Sequence, residues 1–86
     1  MASVKLLYFA WVREKVGRGD ETFDLPAAVV SVADLINWLR LQGPEYESAF
    51  ENDSAIRVAI NQEHVTHETP IAEAKEIAFF PPVTGG

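Results

Sequence analysis

The sequence predicts an α+β domain, a mixed β-sheet with one main helix packed across one of its faces. Three observations carry that expectation. Both ends of the chain contain short segments in which residues alternate with the two-residue period of a strand, and the middle holds one capped amphipathic helix. The 86 residues leave room for one core and no second globular unit.

The elements follow in order. Residues 4–10 read as the first strand, with Val4, Leu6 and Tyr8 on one face and Lys5, Leu7 and Phe9 on the other. The lysine marks the second face as the solvent side. A short helical turn begins at Trp11, since Val12 and Val16 stand four apart and Gly17 can close the turn in a left-handed cap. Arg18-Gly19-Asp20 then reverses the chain. Residues 21–25 alternate again, directing Phe23 and Leu25 inward, and Pro26 ends the strand because it lacks an amide donor. Ser31 with Asp34 forms a capping-box variant ahead of the stripe Val32, Leu35, Ile36 and Leu39, which makes this segment the main helix. It is expected to end near Gln42, with Gly43 as its cap and Pro44 as the residue that cannot continue it. Tyr46, Ala49 and Phe50 suggest a further helical turn before the polar stretch 51–54. Residues 56–60 form the third strand, with Ile56, Val58 and Ile60 inward and Arg57 and Ala59 outward. Asn61-Gln62-Glu63 turns the chain into a short strand around Val65. Residues 76–80 are the last strand, with Ile77 and Phe79 inward and Glu76, Ala78 and Phe80 outward. Strands, a helix and strands again in this order close as a β-grasp.

Composition narrows the function classes. With 48% hydrophobic and 23% charged residues, the chain is too apolar for disorder and too evenly punctuated for a membrane span. It contains no cysteine, which removes thiol catalysis, persulfide chemistry and cysteine-ligated zinc from the options. A formal charge of -6 disfavours nucleic acid and anionic lipid as partners and steers the chain toward proteins that present lysines and arginines. The apolar run 6–12 is followed at once by Arg13, Glu14 and Lys15 with no small-residue cleavage site, so it is not read as a signal peptide, and the expected compartment is the cytoplasm.

The inventory of catalytic groups is nearly empty. His64 and His67 have no third ligand at metal spacing and read as exposed polar residues, so no metal site is expected. Gly17-Arg18-Gly19 lacks the strand-to-helix setting and the lysine of a phosphate loop. Glu45, Glu47, Glu51 and Asp53 read as solvated charge in a polar loop region, and no nucleophile motif occurs.

Two features stand above this background. If the first and last strands are neighbours, Leu7, Phe9 and Phe80 share the solvent-side face and form one exposed apolar patch, the mark of a partner site. The alternative is a loop of the same chain lying over that face. The second feature is the tail, residues 82–86, beyond a domain spanning residues 1–81. Pro81 and Pro82 stop sheet pairing, so Val83, Thr84, Gly85 and Gly86 are expected to leave the body as an extended arm. Five residues from Pro82 reach about 16 Å at roughly 3.3 Å each. A terminal glycine carboxylate has no Cβ beside it to obstruct a narrow channel. A bare Gly-Gly is more often an untethered chain end; the Pro-Pro stop beside an apolar patch favours a functional arm.

The tail Glu76-Ile77-Ala78-Phe79-Phe80-Pro81-Pro82-Val83-Thr84-Gly85-Gly86 resembles the C-terminus of the molybdopterin synthase small-subunit family, sulfur carriers with a ubiquitin-like β-grasp fold. Val4 to Ala10 with Val12-Arg13-Glu14 and Gly17 is similar to that family's opening segment, and Val58-Ala59-Ile60-Asn61-Gln62 to its central strand and turn, so the resemblance spans essentially the whole chain. One departure is visible: Glu73-Ala74-Lys75 stands where the family commonly has an acidic-glycine turn. The resemblance implies that a ubiquitin-activator-like adenylyltransferase uses ATP to adenylate the Gly86 carboxylate, and that a sulfur donor converts it to a thiocarboxylate. The loaded tail then donates sulfur to cyclic pyranopterin monophosphate inside the large synthase subunit, in molybdenum cofactor biosynthesis. It further implies docking through Phe9 and Phe80, a heterotetramer with two small subunits at its ends, no cofactor bound by this chain, and no catalytic group of its own. A carrier for thiamin or tRNA thiolation, or a ubiquitin-like modifier, would share the fold and the diglycine, but the Phe-Phe-Pro-Pro run argues against them. A plain interaction module without terminal chemistry would tolerate loss of Gly86.

Overall fold

A computed structural model describes residues 3–82. The chain forms β1 (Ser3–Tyr8), α1 (Ala10–Val16), β2 (Asp20–Asp24), α2 (Val32–Arg40), α3 (Pro44–Ala49), a 3-10 turn at Asp53–Ala55, β3 (Arg57–Ile60), β4 (Glu63–Val65) and β5 (Glu76–Phe80). The strands make one sheet in the order β2-β1-β5-β3-β4, with β1 and β5 parallel and every other pair antiparallel. This is the expected mixed sheet.

Alternation in each strand sorts the two faces. Val4, Leu6 and Tyr8 of β1, Val58 of β3 and Ile77 and Phe79 of β5 are buried on the inner face, against Val32, Leu35, Ile36 and Leu39 of α2. The rings at the centre lock together. Phe79 stacks on Tyr8 at 6.1 Å between centroids and meets Phe50 edge-on at 5.1 Å, arrangements that add to the area buried.

Helix α2 starts where the capping box predicts. The Asp34 amide donates to the Ser31 hydroxyl at 3.1 Å, and the Asp34 carboxylate accepts from the Ser31 amide at 3.3 Å and the Val30 amide at 3.1 Å. Its end differs from the expectation. The helix stops at Arg40 with Leu41 as its cap, and the Leu41 and Gln42 amides donate to the Trp38 and Leu39 carbonyls in a tightened last turn. Gly43, at φ 160°, is extended rather than left-handed, and it precedes α3, in which Pro44 is the first residue. The fixed φ and missing amide that bar proline from a helix interior suit it to a helix's first turn. Consequently Glu45 and Glu47 lie in the first turn of α3, not in a loop, where the helix dipole favours them. The far end of α3 is tied down by Arg40, whose Nε and Nη2 donate to the Phe50 carbonyl at 2.9 and 2.7 Å while Nη2 also pairs with Asp53 at 3.3 Å.

The β3–β4 connection is a two-residue turn with Asn61 at φ 50° and Gln62 at φ 74°, and Glu63 already belongs to β4. This mirror-image turn matches the twist of the flanking strands. Asn61 also organises the segment ahead of β5. Its Oδ1 accepts from the Lys75 and Glu76 amides at 3.0 and 3.1 Å, and its Nδ2 donates to the Glu73 carbonyl at 3.3 Å. Glu73-Ala74-Lys75 is thus held without a glycine, and Ala74 is buried.

Candidate functional site

The outer face of the sheet is assembled by register. Leu7 of β1 lies opposite Ala78 of β5, and Ala78 opposite Ala59 of β3, which in turn faces His64 of β4. The next row toward the tail holds Phe9, Phe80 and Arg57; the Phe9 amide donates to the Phe79 carbonyl at 3.1 Å, and Arg57 is the cross-strand partner of Phe80. Leu7, Phe9 and Phe80 therefore share one face, as strand parity predicts. Their exposure is uneven: Phe9 is 48% exposed, whereas Leu7 and Phe80 are half-buried. Part of that cover comes from a residue the sequence did not connect with the patch, since the His64 ring lies 5.2 Å from that of Phe80.

Of two neighbouring expectations, one holds and one needs correction. Ala59 points outward as expected and is only 7% exposed, a methyl group on a central strand between Ala78 on one side and His64 on the other. His67 is half-buried rather than exposed, with its Nε2 2.9 Å from the Ile56 carbonyl oxygen. Among the described residues, no three His, Asp or Glu side chains gather into a possible metal site. None of the described helices is long and apolar enough to cross a membrane.

Behind this face sits a polar knot. The Tyr8 and Tyr46 hydroxyls both donate to Oε2 of Glu21, at 2.7 and 2.6 Å, and Arg18 reaches Oε1 at 3.2 Å. Burial, then the adjoining carboxylate, raise both phenols: Tyr46 is pushed up to about 12 and Tyr8 further. Because the folded-state values lie above the unfolded value near 10, the stabilisation is complete below about pH 10 and is lost as pH rises through the folded values. Denaturant unfolding between pH 8 and 12 is expected to show stability falling from about pH 10 upward, with a shallower fall in Tyr46→Phe. A flat profile would contradict this account of the knot.

Pro81 and Pro82 close the described chain beyond β5, unpaired and half-buried. Val83, Thr84, Gly85 and Gly86, the tail expected to carry the chemistry, lie outside the described residues. The last strand ends at Phe80, so the patch lies beside Pro81 and Pro82 at the end of the described chain.

The sequence profile of the ThiS family matches residues 6–86. The chain belongs to the ThiS family. Among curated ThiS-family relatives, the chain is 37% identical to the "molybdopterin synthase sulfur carrier subunit" of Escherichia coli (strain K12), covering 96% of this chain and 99% of that one. It is 34% identical to the protein of the same description from Dictyostelium discoideum, over 95% of this chain and 94% of the relative. Two solved structures share the ubiquitin-like β-grasp fold. Small archaeal modifier protein 1 from Haloferax volcanii has a TM-score of 0.74 at 30% identity, over 99% of this chain and 100% of its own. A putative molybdopterin converting factor, subunit 1, from Pyrococcus furiosus has a TM-score of 0.77 at 26% identity, over 96% and 100%.

Proposed function

We propose that this chain is the sulfur carrier subunit of a molybdopterin synthase. The observation that carries the proposal is full-length similarity, at 37% identity, to a relative of that description. The sheet face built from Leu7, Phe9 and Phe80 supports it, because it offers apolar surface for a partner at the root of the tail.

The chemistry follows from what a carboxylate can do. A carboxylate is a poor electrophile, so the Gly86 carboxylate first attacks the α-phosphorus of ATP on a ubiquitin-activator-like adenylyltransferase, and pyrophosphate leaves. Hydrosulfide delivered by the sulfur donor then attacks the acyl-adenylate carbonyl, the bond to AMP breaks, AMP leaves, and a thiocarboxylate remains. Pro81 and Pro82 end sheet pairing, and Val83, Thr84, Gly85 and Gly86 thread into the large synthase subunit, where the sulfur passes to cyclic pyranopterin monophosphate. The small subunit supplies no acid, base or metal; catalysis belongs to the large subunit, with which it forms a heterotetramer. The carrier works in the cytoplasm, where ATP is available.

A second reading, a ubiquitin-like protein modifier, is favoured by the likeness to small archaeal modifier protein 1. Reconstitution separates the two. With the activating enzyme, ATP, a sulfur source and the large subunit, the carrier converts the pyranopterin to molybdopterin, and deletion of Gly86 abolishes conversion. Lysine-linked conjugates without conversion would favour the modifier.

A further inference from the structure

The residues around Phe80 are at odds with the charge of the chain. The protein carries a formal charge of -6, yet the outward positions that adjoin Phe80 contain no carboxylate: they are Phe9, Arg57, His64 and the alanines 59 and 78. Arg57 is exposed and is directly cross-strand from Phe80. Among the described residues it makes no ion pair. On the opposite side of the same face Asp20 and Asp24 point outward from the edge strand β2, with Asp20 across from Leu7, while Lys5 and Glu76 face each other as a cross-strand pair of opposite charge further from Phe80. The apolar centre is therefore flanked by the Arg57 cation on the β3 side and by the Asp20 carboxylate on the β2 side.

From this arrangement we infer that the outer face docks a partner surface that is apolar at its centre, acidic where it meets Arg57 and basic where it meets Asp20, and that Arg57 sets the orientation of docking. An apolar patch alone permits rotation about its centre. Charges of opposite sign on two sides leave a single favourable orientation, and like charges brought together in the others suppress them. Orientation matters at this position, because the Arg57–Phe80 row lies where the last strand hands over to the tail, and a rotated complex would aim the tail away from the partner's channel. The partner is identified by its chemistry, and the inference rests on the carrier reading only in taking the large synthase subunit as the binding protein.

The test compares binding of the wild-type chain, Arg57→Glu and Arg57→Lys to the purified large subunit across a salt titration. Arg57 is exposed, so both variants are expected to keep the wild-type circular dichroism spectrum. The wild type is expected to bind more weakly as salt rises; Arg57→Glu is expected to lose about tenfold at low salt and most of the salt dependence, while Arg57→Lys stays within about twofold. Equal binding of wild type and Arg57→Glu at every salt concentration would overturn the inference and leave the carrier reading intact. Failure of the wild type to bind the large subunit at all would overturn both.

Discussion

Glu21→Ala is expected to destabilise the domain by about 2–6 kcal/mol, because it strands two buried phenol hydroxyls at a cost of about 1–3 kcal/mol each. Tyr8 is 1% exposed and Tyr46 5% exposed, and both hydroxyls donate to the same carboxylate oxygen. A domain of this size has a total stability of about 4–13 kcal/mol, so the loss is a large fraction of it. The midpoint of urea unfolding measures the effect. Removing donors and acceptor together, in Tyr8→Phe with Glu21→Leu and Tyr46→Phe, is expected to recover much of the loss, since no buried polar group is then left unpaired. A midpoint for Glu21→Ala equal to that of the wild type would show that the knot contributes nothing.

The second large effect concerns binding. Phe80→Asp is expected to weaken binding to the large subunit by about 30-fold or more, the scale of losing an aromatic anchor worth about 2 kcal/mol. The fold should survive, because Phe80 is half-buried on the outer face and the new carboxylate would lie cross-strand from Arg57. Calorimetry on the pair, with a thermal melt of the variant alone, separates the outcomes. Lost binding with an intact melt supports the docking face; unfolding would mean that Phe80 belongs to the core, and unchanged binding that the partner sits elsewhere.

Much of this was legible in the sequence because strands repeat every two residues. Lys5 and Glu76 marked the solvent side of the two central strands, and the register then brought Leu7, Phe9 and Phe80 together on that side. The start of α2 was legible for a similar reason, since Ser31 and Asp34 carry their capping function within four residues. Its end was not, because Gly43-Pro44 can close one helix or open the next, and the choice depends on Tyr46, Ala49 and Phe50 finding a place in the core. Glu21 is in phase with the inward residues Phe23 and Leu25, but its partners Tyr8 and Tyr46 are 13 and 25 positions away in sequence, so only the folded chain brings them to it. His64 and Arg57 joined the outer face around Phe80 for the same reason: β3 separates β4 from β5, and that order is not written in any single segment.

The central claim is that sulfur travels on the main-chain end at Gly86. Intact mass spectrometry, after incubation with the activating enzyme, ATP and a sulfur source, tests it directly. The account predicts a mass gain equal to the exchange of a carboxylate oxygen for sulfur, mapped to the peptide ending in Gly85-Gly86 and absent without ATP. An unchanged mass, or sulfur found on any other residue, would contradict it.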